Sequence, residues 1–479
     1  MLILTFIATA AAASLDNLEI GGAWGLPTTS DAPAIWWNPA GLAAGQGTRV
    51  RLELAPLFAT VDYTRTDPGA GATSFVESGV VPFFGVASDL GVRGLGVGAG
   101  LSVPYARGGS EYDEPSVGRW TLRDGSVQAA ALQAGAAWEF DGRFAIGATG
   151  GLLLSSWSAR VDNDTMPDID HAISELGQES GYTDADLEDP EYATTLQFDP
   201  LRDTSFLWSV GGRAQVHPKV VLALAFVSSV ELRNSGDVSL QTGCPPQDDV
   251  IGRFGIESLG LCDATIDAAA TVSYPLPWRV QGGVEVRPNR DLRLNLMGGF
   301  VKWSLFQDYE ISIGQVAERN PTLDQEAVDL IEQDRQWARD NQDSFWGGLD
   351  VKWNPSDEWT LGGRLLHDQA AVPDAALSGN NYDADNWIVG MMASVRPFGP
   401  LEVGLSYSHH FLATRTITDS GFGMTLADEG RNEDRWYYPH ANGTYSGGIN
   451  RLGLSVAGHF GRKQKMVPPG REALPRGPR

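Results

Sequence analysis

Residues 49–54 read Arg-Val-Arg-Leu-Glu-Leu, and polar and apolar side chains alternate there without a break. Successive side chains of a β-strand point to opposite faces, so this stretch predicts a strand between a polar and an apolar environment. The same alternation recurs at residues 291–296, 401–408 and 451–460. A period of two that is repeated through the chain predicts an all-β fold.

The alternating segments are numerous and long. Several exceed the ~5–6 residues of an ordinary strand and reach the ~9–11 residues that a tilted strand needs to cross a bilayer. We count about fourteen of them, an even number, as bacterial membrane barrels require. They lie near residues 48–65, 74–90, 93–105, 123–140, 143–160, 204–216, 219–236, 264–287, 291–313, 344–354, 358–368, 386–397, 400–415 and 447–460.

The connections between these segments alternate in length. Short turns with Gly, Pro or Asn occur at residues 141–142, 217–218, 289–290, 355–356 and 398–399. Long connections occupy residues 106–122, 161–203, 237–263, 314–343, 369–385 and 416–446. Short turns at one end and long loops at the other are typical of outer-membrane barrels, whereas a soluble β-sandwich rarely has them in strict alternation. We therefore predict a transmembrane antiparallel β-barrel of 14 strands over residues 48–460.

The net charge and the N-terminal residues give further information about the possible partners and the location of the protein. The 479-residue chain has a formal net charge of −25, which excludes nucleic acid as a partner because phosphate binding needs clustered Lys and Arg. Residues 1–13 are apolar and run into small residues, which predicts a signal peptide although no Lys or Arg precedes the apolar run. After residue 13 the sequence contains no run of 18 apolar residues, so no membrane-spanning helix is expected.

The chain has two cysteines, Cys244 and Cys262, separated by 17 residues. An exported chain meets an oxidising compartment, and a disulfide closing such a loop would contribute about 3 kcal/mol. Cys244 and Cys262 are thus a candidate disulfide, with two unpaired buried thiols as the alternative.

Residues 35–43, Ile-Trp-Trp-Asn-Pro-Ala-Gly-Leu-Ala, precede the first strand. The proline prevents a helix or a central strand from continuing through this point, so a compact set of turns is expected. Such a plug needs a container, which the barrel provides, and we predict a hatch over residues 14–47. The candidate hatch residues are Trp36, Trp37, Asn38, Pro39 and Ala40. Trp36 and Trp37 would either line a pocket or wedge it shut.

Other patterns give weaker predictions. Residues 161–203 are rich in carboxylates and predict a solvated loop. Residues 321–339 predict a packing helix capped by Asn320 or Thr322. The seven histidines have no metal-ligand spacing, and neither a cofactor site nor a catalytic residue is expected. Ser408 and His409 are the nearest nucleophile and base, but adjacent strand residues point apart.

The chain also resembles the FadL/TodX family of outer-membrane transporters for long-chain fatty acids and other hydrophobic compounds. Asn38-Pro39-Ala40 matches the hatch signature of that family. The other matching stretches, in the same order as in the family, are residues 95–105, 264–277, 303–306, 367–378, 383–387 and 443–460.

The resemblance implies a 14-stranded barrel with an internal hatch, a monomer that takes up hydrophobic molecules passively and releases them laterally through a kinked third strand. The residues agree, since a proline cannot donate to the ladder and two glycines interrupt the strand, although an ordinary strand end is the alternative. The kink residues would be Pro104, Tyr105, Gly108 and Gly109. Implied partners are outer-membrane lipid, lipopolysaccharide, a hydrophobic ligand and the barrel-assembly machinery. The hatch and both termini, including a basic and disordered tail at 461–479, would lie in the periplasm of a Gram-negative cell.

Two departures from the family pattern concern the ligand. Asn386 stands where an arginine is expected, and Gln342 beside Asp343 replaces a basic residue. Cationic partners for a fatty-acid carboxylate are therefore fewer, which makes fatty acid a less secure ligand than hydrophobic compounds in general. The remaining candidate ligand contacts are Arg160, Trp303 and Phe306, and a rim contact is the alternative for the arginine. An outer-membrane lipid-modifying enzyme and an adhesion or structural barrel are the alternative functions.

Overall fold

A computed structural model describes residues 15–66, 71–111, 116–163, 193–244, 253, 256–421 and 440–461. The predicted signal peptide at 1–13, residues 164–192 of the acidic loop and the tail after residue 461 lie outside these residues.

The described strands form one antiparallel sheet that closes on itself through pairing of the first strand with the last. The strand segments are β1 Thr48–Arg65, β2 Gly71–Ser88, β3 Leu95–Glu111, β4 Asp124–Phe140, β5 Phe144–Asn163, β6 Thr194–His217, β7 Val220–Val227, β8 Val230–Gln241, β9 Thr265–Leu276, β10 Arg279–Val286, β11 Leu292–Val301, β12 Asp308–Gly314, β13 Arg335–Ala338, β14 Ser344–Trp353, β15 Trp359–Asp368, β16 Asn386–Phe398, β17 Leu401–Ile417 and β18 Gly443–Phe460.

Four strands of the barrel are each built from two of these segments. β7 and β8 follow one another along the same neighbour, β6, and β9 and β10 lie in turn beside β8 and β7. In the same way β11 with β12 lies beside β14 with β13. The barrel therefore has 14 strands, which confirms the fold predicted from the alternation. We call its two ends the turn end and the loop end.

The barrel carries its apolar face on the outside. Arg51 is 1% exposed and points into the lumen with Arg49 and Glu53, whereas Leu52 and Leu54 are each 43% exposed on the outer wall. A water-soluble protein buries the opposite faces. Residues 49–54 are thus part of a strand between lipid and a polar lumen.

Two belts of exposed aromatic side chains border the apolar wall. The belt near the turn end contains Trp138, Phe140, Phe144, Trp353, Trp359 and Phe460. In the belt nearer the loop end, neighbouring rings touch from strand to strand, as in Trp208, Phe226, Trp278, Phe300 and Phe345. Such girdles lie at the two membrane–water interfaces of transmembrane barrels.

The helices are short. α1 is Ala34–Trp37, α2 is Val316–Arg319 and α3 is Gln325–Ile331, and the 3-10 helices are Gly22–Trp24, Pro39–Ala44, Trp303–Leu305 and Asp374–Ala376. None of the helices in the described residues is long and apolar enough to span a membrane.

The helix predicted over residues 321–339 is wrong in extent and in its cap. α3 ends at Ile331, and its cap is Asp324, whose carboxylate accepts the Glu326 amide at 2.9 Å. The following β13 pairs with β12, which places Trp337 opposite Tyr309 in the buried interior. Pairing with a neighbouring strand therefore outweighs the local helical pattern.

Candidate functional site

Residues 15–47, which we call the plug, pack inside the barrel, and Asn38 is their anchor. Asn38 is fully buried and caps the 3-10 helix Pro39–Ala44, with its side-chain oxygen accepting the Ala40 amide at 3.1 Å. Its Nδ2 donates to the Gly212 carbonyl oxygen of β6 at 2.9 Å. One side chain thus shapes the plug and also attaches it to the wall.

Glycines on the inner wall make room for this contact. A Cβ added at Gly147 of β5 would lie 2.6 Å from the Pro39 carbonyl carbon, and one at Gly211 of β6 would collide with the Asn38 side chain. These distances are too short for any side chain. Close approach of the plug to the wall therefore requires glycine at both positions.

Trp36 and Trp37 are both buried, between plug and wall. Trp37 Nε1 donates to the Ile20 carbonyl oxygen at 2.8 Å, and its ring meets Trp346 edge-on at a centroid distance of 5.9 Å. Trp36 meets Tyr105 edge-on at 6.5 Å. Neither is among the residues that line the cavity described below.

Ion pairs between plug and barrel hold the plug in place. Asp31 binds Arg51 of β1 at 2.7 Å, and Asp16 binds Arg279 of β10 at 2.6 Å. Arg364 of β15 donates to three carbonyl oxygens of the plug at 3.2–3.3 Å. Buried charges are stable only when paired in this way.

Pairing between β2 and β3 is interrupted. The two strands pair from Ser88 to Phe84 and again at Val76, with no paired residues between Phe84 and Val76. On its other side β3 has an irregularity against β4 between Ser102 and Tyr105. We call this gap, residues 77–83 of β2 and 102–109 of β3, the seam, and it contains the predicted kink residues Pro104, Tyr105, Gly108 and Gly109.

The start of the plug covers part of the seam from within. The Asn17 amide donates to the Pro104 carbonyl oxygen at 2.9 Å, and the Ala106 amide donates to the Leu15 carbonyl oxygen at 3.0 Å. Asn17 Nδ2 also donates to the Val103 carbonyl oxygen at 3.0 Å. We call residues 15–17 the strap. It satisfies backbone groups of β3 that β2 does not reach, as a break in a membrane sheet demands.

A cavity adjoins the seam, and the space between its lining atoms, including open solvent, is about 740 Å³. Seam residues form one side of it and aromatic and apolar residues most of the rest. The residues that matter here are Glu77, Arg107, Gly108 and Gly109 of the seam and, from the interior, Phe75, Leu122, Trp157, Arg339 and Tyr382.

Two guanidinium groups, Arg107 and Arg339, border this cavity. Arg339 is 4% exposed, and its guanidinium group donates to the Tyr309 hydroxyl oxygen at 3.3 Å and lies over the Phe306 ring at 5.0 Å. Within the described part of the chain, neither arginine forms an ion pair with a carboxylate. The cavity is therefore apolar over most of its wall, and its charged part combines the two guanidinium groups with the Glu77 carboxylate.

The structure distributes the sequence-predicted ligand contacts differently. Phe306 is fully buried behind Arg339 and stacks on Tyr274 at 5.1 Å, and Trp303 is buried as well. Arg160 alternates with the inward-facing Ala159 and Val161, so it lies on the outer face of β5 and is not among the residues that border the cavity. Arg107 and Arg339 were not predicted from the sequence.

Several other predicted features have a definite place. A disulfide joins Cys244 and Cys262 at the loop end. Ser408 faces the lumen and donates to Glu19 at 2.9 Å, whereas His409 lies on the outer face beside Asn450. Among the described residues, the one group of three close potential metal ligands is Cys244, Cys262 and Asp263, whose two sulfurs are bonded to each other.

Asp383, in the loop between β15 and β16, holds that loop over the cavity. Its carboxylate accepts the amides of Ala371 and Val372 at 2.6 and 3.1 Å. Burial raises the pKa of Asp383 from its ordinary value of 3.8 to about 7, against the opposing effect of the two amides and of nearby arginines. The carboxyl group lies outside the membrane-spanning strands.

This pKa predicts that the loop loses stability as pH rises. The folded loop binds the proton more tightly than the unfolded loop, so its stability falls between about pH 4 and pH 7. We expect amide exchange protection at Ala371 and Val372 to be roughly one hundredfold higher at pH 5 than at pH 8, after correction for intrinsic rates. Asp383→Asn should abolish this dependence, whereas Asp385→Asn, which alters a neighbouring exposed amide contact, should leave it. A dependence that survives Asp383→Asn would contradict the assignment.

Residues 1–439 match the family described as outer membrane protein transport protein (OMPP1/FadL/TodX). The chain belongs to this family. It is therefore an outer-membrane β-barrel of a Gram-negative bacterium that transports hydrophobic compounds, and not an enzyme. No curated protein matches the chain.

Solved structures share the OMPP1/FadL/TodX fold at low sequence identity. A Pseudomonas aeruginosa FadL homologue is similar with a TM-score of 0.72 at 15% identity, covering 95% of this chain and 100% of that one. The Pseudomonas putida toluene transporter TodX has a TM-score of 0.63 at 14% identity, covering 94% and 99%. The Ralstonia pickettii toluene transporter TbuX has 0.60 at 14%, covering 93% and 100%. At such identities the likeness concerns the fold.

Proposed function

We propose that this protein takes up amphipathic molecules that have a long apolar part and an anionic head, and releases them laterally through the seam. One observation carries this proposal: the cavity that contains Arg107 and Arg339 is also bordered by Gly108 and Gly109 of the seam. A ligand in that cavity would already lie beside the gap in the wall.

The chemistry of the cavity favours such a ligand. Each methylene group that leaves water for the apolar wall contributes roughly 0.8 kcal/mol. A carboxylate or phosphate head could form charge-assisted hydrogen bonds to the two guanidinium groups, neither of which forms an ion pair with a carboxylate among the described residues. A long-chain fatty acid combines both features. An aromatic hydrocarbon, such as the compound named for TodX and TbuX, would use the apolar wall alone.

The direction of transport follows from the shape of the barrel. Ligand would enter between the long loops at an extracellular loop end, and the turn end with the plug and both termini would face the periplasm. The plug would act as the hatch, with residues 14–47 as its domain, and block the straight path through the lumen. Lipid and lipopolysaccharide would surround the apolar wall of a monomer that the barrel-assembly machinery inserts.

Obstruction of the seam tests this route. Gly109→Trp should lower uptake of a fluorescent long-chain fatty acid into proteoliposomes at least tenfold. A Cβ at Gly109 has only Leu122 and Phe75 within 4 Å, both at 3.8 Å, so a tryptophan side chain there would occupy the space beside the seam. Gly314→Trp is the control, since nothing lies within 4 Å of its added Cβ at the end of β12. Equal uptake by folded Gly109→Trp and wild type would refute the lateral route. Loss with the control variant as well would refute it too, because the effect would then be independent of the seam.

A further inference from the structure

Glu77 bridges the seam at the point where pairing of β2 with β3 resumes. It follows Val76, the last residue of the loop-end pairing, and points into the lumen with 5% of its surface exposed. Its Oε2 accepts the Gly108 amide of β3 at 3.2 Å. A side chain of β2 thus takes the place of a backbone acceptor in the ladder.

This bridge lies within a cluster of four charges. Arg107 precedes Gly108 in the chain, and the charges that act on its guanidinium group include those of Glu77, Asp383 and Arg339. Glu77, Arg107 and Arg339 all border the cavity. The carboxylate that ties the seam is therefore close to the cations that would bind an anionic head.

We propose that Glu77 is a specificity-determining residue, which opens the seam for anionic ligands and keeps it closed for neutral ones. The proposal rests on the function proposed above. An anionic head on Arg107 and Arg339 places a second negative charge beside Glu77 in a site of low dielectric constant, where two like charges repel strongly. The repulsion displaces the Glu77 carboxylate from the Gly108 amide, and the tie between β2 and β3 is lost.

A neutral ligand has no such effect. It fills the apolar part of the cavity without changing the charge beside Glu77, so the bond to Gly108 persists. Selectivity would therefore arise at release as well as at binding. Glutamine at position 77 retains an acceptor for the Gly108 amide but cannot be repelled, and alanine removes the tie altogether.

Three proteins separate these possibilities: wild type, Glu77→Gln and Glu77→Ala, each reconstituted in liposomes. Uptake and equilibrium binding are measured for a fluorescent long-chain fatty acid and for its methyl ester. Wild type should take up the acid roughly tenfold faster than the ester. Glu77→Gln should slow uptake of the acid to the rate of the ester without weakening its binding. Glu77→Ala should raise uptake of the ester towards that of the acid.

The outcomes also distinguish this inference from the proposed function. If wild type takes up the acid, Gly109→Trp blocks it, and both Glu77 variants keep the wild-type ratio of acid to ester, the role of Glu77 is refuted and lateral uptake stands. If Glu77→Gln loses binding in proportion to uptake, Glu77 contributes to the binding site and not to release. That result also refutes the proposed role of Glu77 in opening the seam. Slow release with intact binding in Glu77→Gln, together with fast ester uptake in Glu77→Ala, supports it.

Discussion

Arg339→Met is expected to weaken binding of a long-chain fatty-acid anion by a factor of roughly ten to one hundred. A hydrogen bond to a charged group contributes about 1.5–3 kcal/mol, and the buried Arg339 has its aromatic neighbours Phe306 and Tyr309 but no carboxylate that would compete for it among the described residues. Methionine keeps much of the apolar stem, so binding of the methyl ester should change by no more than about threefold. Displacement of a fluorescent fatty acid from the purified barrel measures both affinities.

The matched control is Arg160→Met. Arg160 lies on the outer face of β5, so this variant removes the same charge without touching the cavity. It should bind both ligands as wild type does. If Arg339→Met weakened acid and ester equally, the guanidinium group would have a packing role and no part in recognition of the head.

Arg279→Met is expected to detach the strap from β3. Arg279 and Asp16 form a fully buried ion pair, and loss of one partner from such a pair costs about 3–5 kcal/mol because the other group loses its counter-charge. Asp16 lies between the two strap residues that bond to the seam, so its displacement should break the bonds to Pro104 and Ala106. Hydrogen exchange at the amides of Asn17 and Ala106 should accelerate more than 100-fold.

A double variant provides the control for this effect. Asp16→Asn combined with Arg279→Met removes both charges, so most of the protection at Asn17 and Ala106 should return. An Arg279→Met protein with unchanged exchange would show that backbone bonds alone hold the strap. A double variant as unprotected as the single one would show that Arg279 acts through its stacking on Trp36 and Tyr105 rather than through its charge.

Local patterns were enough to predict the barrel. The alternation in residues 49–54 determines which side chains face lipid. This holds whatever the exact ends of the strand, because side chains of a strand alternate between its two faces along its whole length. Strand ends were harder to predict. β6 begins at Thr194, ten residues before the predicted segment, because Pro200 is accommodated between Phe198 and Arg202, where the pairing shifts register.

The cation site could not be predicted in the same way. Arg107 and Arg339 are more than 200 residues apart in the sequence and come together only when β3 and the residues after β13 meet across the lumen. Arg160 has the expected residue type at a strand end, but the parity of β5 turns it outward. A shift of one residue exchanges the lumen face and the lipid face, so a motif that identifies a strand does not identify the residues of its pocket.

The ion pairs of the plug have a mechanical consequence for closure of the barrel. β1 and β18 form the joint between the first and last strands, and Glu53 of β1 binds Arg451 of β18 across it at 2.7 Å. From the plug, Glu19 lies 3.7 Å from the same arginine, and Asp31 binds Arg51 of β1. The plug is thus bound to both strands of this joint. We therefore expect closure of the barrel and packing of the plug to be cooperative, because each brings together charged groups that stabilise the other.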